Sequence, residues 1–291
     1  MLSGHHLETL VAVVDEESFG AAASRLRITQ SAVSQRIRAL EQQVGHVVVT
    51  REGPCRPTAQ GEVLLGLARG VASLEADALG RLAGGAAPSA VLDVGVNADS
   101  LATWFRDVID AVAALPDGPL LRLAVDDEHH TADLLRAGSV LGAITTDPEP
   151  VQGCAAEYLG IMRYLPVCTP DFAARWRSGG RWRWREMPVV QFDLRKDELQ
   201  TKVLHRRGIR ESPPMHRIPS SEAFTYAVRA GLGWGSLPEA DIGDALDDGA
   251  LIRLTDDTVD VKLYWQSWRL HTRATERLAD AIHAAAAVHL R

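Results

Sequence analysis

Four apolar residues, Val33, Ile37, Leu40 and Val44, recur at intervals of four, three and four. That spacing predicts one buried stripe of an amphipathic helix. Two shorter stripes precede it, Leu7, Leu10, Val11 and Val14, then Phe19, Ala22, Ala23 and Leu26. Ser18 and Thr29 stand where helix starts need a side-chain acceptor, and Gly45 stands where the third helix would stop. Only Arg27, Ile28 and Thr29 separate the second helix from the third, a tight helix-turn-helix connection. Residues 46–58 (HVVVTREGPCRPT) read as two short extended segments around Gly53-Pro54, a small β wing.

In residues 58–83 helical spacing continues through Val63, Leu64, Leu67, Val71, Leu74, Ala78 and Leu82. This predicts a long helix, which pairs with its own copy in a dimer or packs on its own domain. The run GGAAPS at 84–89 breaks the pattern and marks a domain boundary. From residue 90 strands and helices alternate. AVLDVGV (90–96) is extended, and a helix from Leu101 has its stripe at Leu101, Phe105, Val108, Val112 and Leu115. LLRLAV (120–125) is extended, TADLLRAG (131–138) helical and VLGAITT (140–146) extended. Such alternation implies a parallel sheet flanked by helices. A second set runs through 162–169, 187–192, 215–219 and 233–238. A returning strand at 261–270 and a last helix at 273–289 complete the chain.

Composition adds little to this until it is localised. A chain of 291 residues is long enough for two or three domains. Its hydrophobic fraction of 46% and charged fraction of 24% are those of a soluble globular protein. No apolar stretch follows a basic start as in a secretory leader, and none approaches the roughly 18 residues of a membrane span, so a cytoplasmic protein is expected. Cys55, Cys154 and Cys168 are too few for a disulfide framework and read as ordinary thiols rather than a Cys154–Cys168 redox pair. The net charge of −7 does not suggest a nucleic-acid partner. Residues 25–57, however, hold six arginines (25, 27, 36, 38, 51 and 56) against Glu41 and Glu52. A basic patch on an acidic protein is an electrostatic footprint.

That patch coincides with a polar helix face. Thr29, Gln30, Ser31, Ser34, Gln35 and Arg38 line the first turns of the third helix, opposite its apolar stripe. In a helix-turn-helix unit this helix enters the major groove, with its N-terminal residues against base edges. Short hydroxyl and amide side chains can reach bases there, while Arg38, Arg51 and Arg56 engage flanking phosphates. The bland reading is a solvated helix face; turn spacing, local charge and the wing favour double-stranded DNA.

The segment SFGAAASRLRITQSAVSQRIRALEQQVG (18–45), with Arg51 and PTAQG (57–61), resembles the winged helix-turn-helix of LysR-type transcriptional regulators. SAVSQRIRALEQQVG, REGPCRPT, VNADSLATWF, RYLPV and AGLGWGSLPE are similar to the ArgP/LysG (IciA-type) branch of that family. The resemblance implies an α/β chain with an N-terminal winged helix-turn-helix (1–57), a linker dimerisation helix (58–86) and an effector-binding domain (87–291). That last domain would be two-lobed and periplasmic-binding-protein-like, with lobes near 90–161 plus 268–291 and near 162–267. It implies a regulator, not an enzyme, that senses lysine or arginine and controls amino-acid export or biosynthesis. Implied partners are double-stranded DNA, the amino acid, a homodimer or homotetramer of the chain, and RNA polymerase, with no cofactor, metal or membrane. The alternative is a sequence-tolerant DNA-binding protein acting at the replication origin or structurally, without effector linkage. An enzyme is disfavoured because GLGWG (231–235) lacks the Gly-x-Gly-x-x-Gly spacing and context of a phosphate loop.

Open α/β sheets take ligands beyond the carboxyl ends of their strands. In the first lobe those ends carry Asp99, then Asp126, Asp127 and Glu128, then Thr145, Thr146 and Asp147. In the second lobe Asp193 follows VVQF. Asp also favours loops and helix starts, which accounts for some of these. Helix N-termini can receive a carboxylate. Ser100 and Thr103 lie at one such start, and Ser220, Ser221 and Glu222 at another. Ser100 is either a helix cap or a ligand contact. With the resemblance, Ser100 and the Thr103 region receive the effector carboxylate, Asp99 or Asp126 its amine, and Asp193 or Glu222 a contact from the other lobe.

Two further runs have candidate chemistry. DDEHH (126–130) has metal-ligand residue types, but adjacent residues on an extended segment point apart, so His129 and His130 would not share one ion. RWRSGGRWRWRE (175–186) mixes five Arg with three Trp and could stack on nucleic acid, though a surface loop or subunit contact suits its place in the second lobe better.

Overall fold

The computed structural model describes residues 2–50, 53–82, 90–126, 131–192 and 198–291. Arg51, Asp127, Glu128, His129, His130, Asp193 and the GGAAPS boundary lie outside the described residues. Three helices come first, α1 (Gly4–Asp15), α2 (Phe19–Leu26) and α3 (Gln30–Val44), followed by the long α4 (Ala59–Leu82). Next come β1 (Val91–Asn97), α5 (Ala98–Ala102), α6 (Phe105–Ala113), β2 (Leu120–Asp126), α7 (Thr131–Arg136) and β3 (Gly142–Thr145). Then follow β4 (Cys154–Cys168), α8 (Pro170–Trp176), β5 (Arg177–Ser178), β6 (Arg181–Trp182), β7 (Val189–Gln191), α9 (Glu198–Arg206) and β8 (Met215–Arg217). The chain closes with α10 (Ser221–Arg229), β9 (Gly235–Pro238), α11 (Glu239–Ile242), β10 (Ile252–Arg253), β11 (Val259–Trp268) and α12 (Arg273–His289).

Two compact units emerge. The first holds residues 1–97, 109–157 and 264–282; the second holds 98–108, 158–263 and 283–291. In the first unit Ser18 Oγ accepts from Ala21 N and starts α2, while Thr29 Oγ1 accepts from Ala32 N and starts α3. Gly45, at φ +76°, ends α3 in the left-handed conformation that glycine adopts without a Cβ penalty. The apolar stripes converge as their spacing requires: Leu10, Val13, Val33, Ile37 and Leu40 pack with Val48, Val49 and Leu65 in one buried core. Among the described residues the two wing segments meet at one isolated bridge, flanked on one side by Thr58 N donating to Val48 O at 3.0 Å. Thr50 N donates to Arg56 O at 2.8 Å, and Val49 bridges Pro57. Cys55 N donates to Glu17 O and ties that wing to the end of α1.

Helix α4 buries Leu65, Ala68 and Ser73 within the unit and exposes Val63, Leu67, Leu74, Leu79 and Leu82. In the sheet of the first unit β1 lies between β2 and β3, all parallel, and β11 adds antiparallel to β3 over Tyr264–Ser267. In the second unit β4 pairs antiparallel with β9 and β10, and β7 pairs parallel with β8. Leu165, Val167, Val190, Phe224, Val228, Leu237 and Ile242 form its core.

One element departs from expectation. The helix read from Leu101 is broken into α5 and α6 at Thr103-Trp104. Thr103 Oγ1 donates to Asp99 O at 2.6 Å, and the buried Trp104 indole donates to Ser100 Oγ at 3.0 Å. These side-chain bonds close the first turn on itself and compete with its continuation.

The Arg/Trp run forms the β5–β6 hairpin and the segment behind it. Trp182 Nε1 donates to Leu254 O, and Trp184 stands edge-on to Trp234 at 5.5 Å. The guanidinium groups of Arg177 and Arg207 lie over these two indoles, so their rings serve as packing rather than as a stacking platform. The thiols are buried too. Burial pushes the pKa of Cys154 up to about 11, against the pull of Arg269, and that of Cys168 up to about 12. Both remain protonated thiols near neutrality, poor material for a redox pair. No described helix is long and apolar enough to cross a membrane.

Candidate functional site

The first surface is built on α3. Thr29 Oγ1 caps the helix and also lies 2.9 Å from Ser31 Oγ, so the first turn carries two side-chain bonds of its own. Gln30, Ser31, Gln35 and Arg38 are exposed and Ser34 is half-buried. A groove of about 1370 Å³ separates the second half of α3 from the wing, lined by Arg38, Glu41, His46, Thr50 and Arg56 among others. Glu41 Oε1 accepts from Val48 N and Thr58 Oγ1 donates to Val47 O, which fix the wing beside the helix. Two arginines of the basic count are used internally. Arg36 donates to Thr9 Oγ1 at 3.4 Å, and Arg25 pairs with Asp15 at 3.0 Å and Glu16 at 3.4 Å. Of the six, Arg27, Arg38 and Arg56 are the exposed cations that remain among the described residues, Arg38 on α3 itself and Arg56 on the wing.

The second constellation lies within the second unit, around Asp99. Ser221 Oγ, in the first turn of α10, donates to Asp99 Oδ1 at 2.6 Å. Tyr164 Oη, on the buried strand β4, donates to Asp99 Oδ2 at 2.8 Å. One carboxylate is thus held at both oxygens by hydroxyls. Ser220 Oγ caps α10 by accepting from Ala223 N. One turn after Ser221, Thr225 Oγ1 donates to Asp241 Oδ2 at 3.3 Å. The pKa of Asp241 is raised, first by burial and then by the charge of Asp99, although Thr225, Arg106 and Arg229 act the other way. Arg106 pairs at 3.1 Å with Glu222, both well exposed. Asp99 and Asp241 thus carry like charges that disfavour each other's ionisation, with the Arg106 guanidinium acting against that effect on Asp241.

The expected effector residues are distributed unevenly. Asp99 and Ser221 are bonded directly, and Glu222 follows at once on α10. Ser100 is fully buried and its Oγ accepts the Trp104 indole proton, while the Thr103 hydroxyl is used on the Asp99 carbonyl. Thr145 is fully buried at the end of β3, where its Oγ1 accepts from Asp147 N at 3.1 Å, and the half-buried Thr146 follows it. Asp126 ends β2 opposite Asn97. Sequence reasoning missed Tyr164 and Asp241. Tyr164 occurs inside an apolar strand, where a hydroxyl has no pattern of its own. Asp241 lies in an acidic run, PEADIGD, that gives no reason to single it out.

Residues 5–62 match the bacterial regulatory helix-turn-helix proteins of the lysR family, and residues 85–287 match the LysR substrate binding domain. The chain belongs to the LysR family of transcriptional regulators. Among relatives of this LysR-type regulator, the lysine export transcriptional regulatory protein LysG of Corynebacterium efficiens is 46% identical over 288 residues, 98% of each chain. ArgP from Mycobacterium tuberculosis, a crystal structure, is 44% identical with a TM-score of 0.89 over 100% of this chain and 99% of that one. Full-length LysG from Corynebacterium glutamicum with bound effector arginine is 41% identical, with a TM-score of 0.84 over 99% of each chain. These relatives are named as regulators, which disfavours the alternative of a DNA-binding protein without effector linkage.

Proposed function

We propose that this LysR-type regulator binds double-stranded DNA through α3 and the wing and changes that binding when a basic amino acid, lysine or arginine, occupies the Asp99 constellation. The bound arginine of the related LysG supports the choice of ligand class. The observation that carries the reading is Asp99, fixed by Ser221 and Tyr164 and sharing its surroundings with Asp241. Pre-set carboxylates lower the reorganisation that binding a cation would otherwise require. The α-ammonium and the side-chain cation are the complements of Asp99 and Asp241. The α-carboxylate suits Arg106 and the first-turn amides of α10, where the helix dipole favours an anion.

On DNA, Gln30, Ser31, Ser34 and Gln35 read base edges, and Arg38, Arg56 and Arg51 hold the backbone. The exposed stripe of α4, Val63, Leu67 and Leu74, suits pairing with a second copy, as an assembly that presents two α3 helices requires. The regulated genes are those of amino-acid export or biosynthesis, and the site of action is the cytoplasm. The test is calorimetric titration with lysine, arginine and norleucine, paired with anisotropy on DNA from upstream of the chain's own gene. Lysine or arginine binding that shifts DNA affinity supports the reading. Equal binding of norleucine overturns it, because the site would then sense shape rather than charge.

A further inference from the structure

Asp15 is the last residue of α1, and three arginines converge on it. Arg69 of α4 donates to Asp15 Oδ1 at 2.7 Å, Arg25 of α2 to Oδ2 at 3.0 Å, and Arg122 of β2 to Oδ2 at 3.5 Å. Arg122 also grips Asp93 of β1 with two nitrogens, at 2.7 and 2.8 Å. Arg69 closes the circuit, its Nε 3.7 Å from Asp93 and its Nη1 donating to the Gly138 carbonyl at 2.7 Å. Asp15, Arg69, Asp93 and Arg122 form a ring of alternating charge. It joins the three-helix DNA-binding domain, the long helix and the regulatory sheet. The side chains of Arg69, Asp15 and Asp93 are only 10, 12 and 14% exposed.

We propose that this ring is the releasable contact through which the regulatory sheet sets the position of the DNA-binding domain of the same chain. Three observations point there. The apolar cores on either side are separate: one ends at Leu65, the other is built from Leu135, Val140, Ala143 and Val151. No member of the ring belongs to either core. Its members are also mutually dependent. Among the described residues, without Asp15 the nearly buried Arg69 keeps only Asp93 at 3.7 Å as a charged partner, and without Arg69, Asp15 keeps only Arg25 and Arg122, so each removal strains the rest of the ring. Finally, Asp93 lies on β1, and the chain runs from there through Asn97 directly into Asp99. That continuity links the ring to the proposed effector group by six residues. The ligand-dependent part of this inference rests on the effector reading above.

The experiment uses the full chain and the variants Asp15→Asn, Arg69→Met and the exchanged pair Asp15→Arg with Arg69→Asp. Calorimetry with lysine and with arginine shows whether each variant is folded and binds effector. DNA anisotropy with and without effector gives the coupling factor, typically about 5–150-fold in allosteric proteins. Both single variants are expected to bind effector within about twofold of the parent while their coupling factor falls toward one. The exchanged pair should recover part of it. Scanning calorimetry gives an arm independent of effector, in which the DNA-binding domain of either single variant melts separately from the rest. Unchanged coupling in both single variants overturns the proposal. If the parent binds neither lysine nor arginine, the effector reading fails instead. The ring is then upheld by separate melting of the variants and overturned by parent-like single melting.

Discussion

The Ser221 hydroxyl donates to Asp99 Oδ1 at 2.6 Å, joining two residues 122 positions apart in the chain. With Tyr164 on the other oxygen, Asp99 is a fixed acceptor that a cation need not organise. Asp99→Asn is therefore expected to weaken lysine and arginine by roughly thirty- to several-thousand-fold, the range for losing a close charge pair. Ser221→Ala and Tyr164→Phe each remove one bond to a charged group and should cost about tenfold. Titration calorimetry of the three variants reads this directly. Parent-like lysine affinity in Asp99→Asn would show that the ligand sits elsewhere.

On α3, Arg38→Ala should weaken binding to all DNA sequences and flatten the log–log salt slope by about one unit, as for one lost phosphate contact. Gln30→Ala and Gln35→Ala should instead change the ratio of affinities for related sites. Arg36→Ala separates the two roles of charge in this helix. Its guanidinium reaches Thr9 on α1, so its loss is expected to lower the denaturation midpoint and leave the salt slope alone. Anisotropy over a salt series, with urea melts in parallel, distinguishes the outcomes.

The DNA-binding end was legible because its signals are local. Helix stripes, two caps and a glycine stop all lie within about fifteen residues of what they specify, and one three-residue turn fixes the arrangement. The α/β order was legible for the same reason. The break between α5 and α6 was not, since Leu101, Phe105, Val108 and Val112 keep an uninterrupted helical spacing. The competing signal is Thr103 turning back onto Asp99 O, which spacing cannot register. The group around Asp99, proposed above as the effector site, was half legible. Asp99 and Ser221 stood out as an acid at a strand end and a hydroxyl at a helix start. Their partnership depends on a long-range contact, and Tyr164 and Asp241 join them only through tertiary structure. Nor could charge counting foresee that Arg25 and Arg69 would be spent on Asp15.

Asp241 gives a pH signature with a definite sign. Burial, and then the charge of Asp99, raise its pKa above the ordinary carboxylate value of 3.8. The folded protein thus holds this proton more tightly than the unfolded chain. The stabilisation from protonation is complete below the unfolded pKa and is lost as pH rises through the folded pKa. Above that, the chain carries a desolvated charge beside another. Asp241→Asn, which keeps the acceptor for Thr225, should therefore be more stable than the parent at pH 7, and the difference should vanish as pH falls toward 3.8. Urea unfolding at several pH values measures it. A difference that grows toward acid would reverse the assignment.

The seating of α4 gives the most direct structural test, because glycines mark it. Gly138 stands at φ +60°, and a Cβ there would lie 2.3 Å from the backbone N of Gly66 on α4 and 2.6 Å from Glu62 O. Backbone cannot swing aside as a side-chain tip can. Gly45 supplies the matched control, at φ +76° with nothing near its Cβ position. Both Gly→Ala changes carry the left-handed penalty, about 1–2 kcal/mol. Only Gly138→Ala adds the collision, and it also moves the carbonyl that Arg69 binds. The expected result is a denaturation midpoint lowered clearly more by Gly138→Ala than by Gly45→Ala, with faster proteolysis within 59–82 in the first variant alone. Gly66→Ala should follow Gly138→Ala, since its Cβ would meet the Trp268 ring at 2.7 Å. Equal midpoints for Gly138→Ala and Gly45→Ala would mean that α4 does not rest against Gly138. The charge ring anchored by Arg69 would then lose its scaffold.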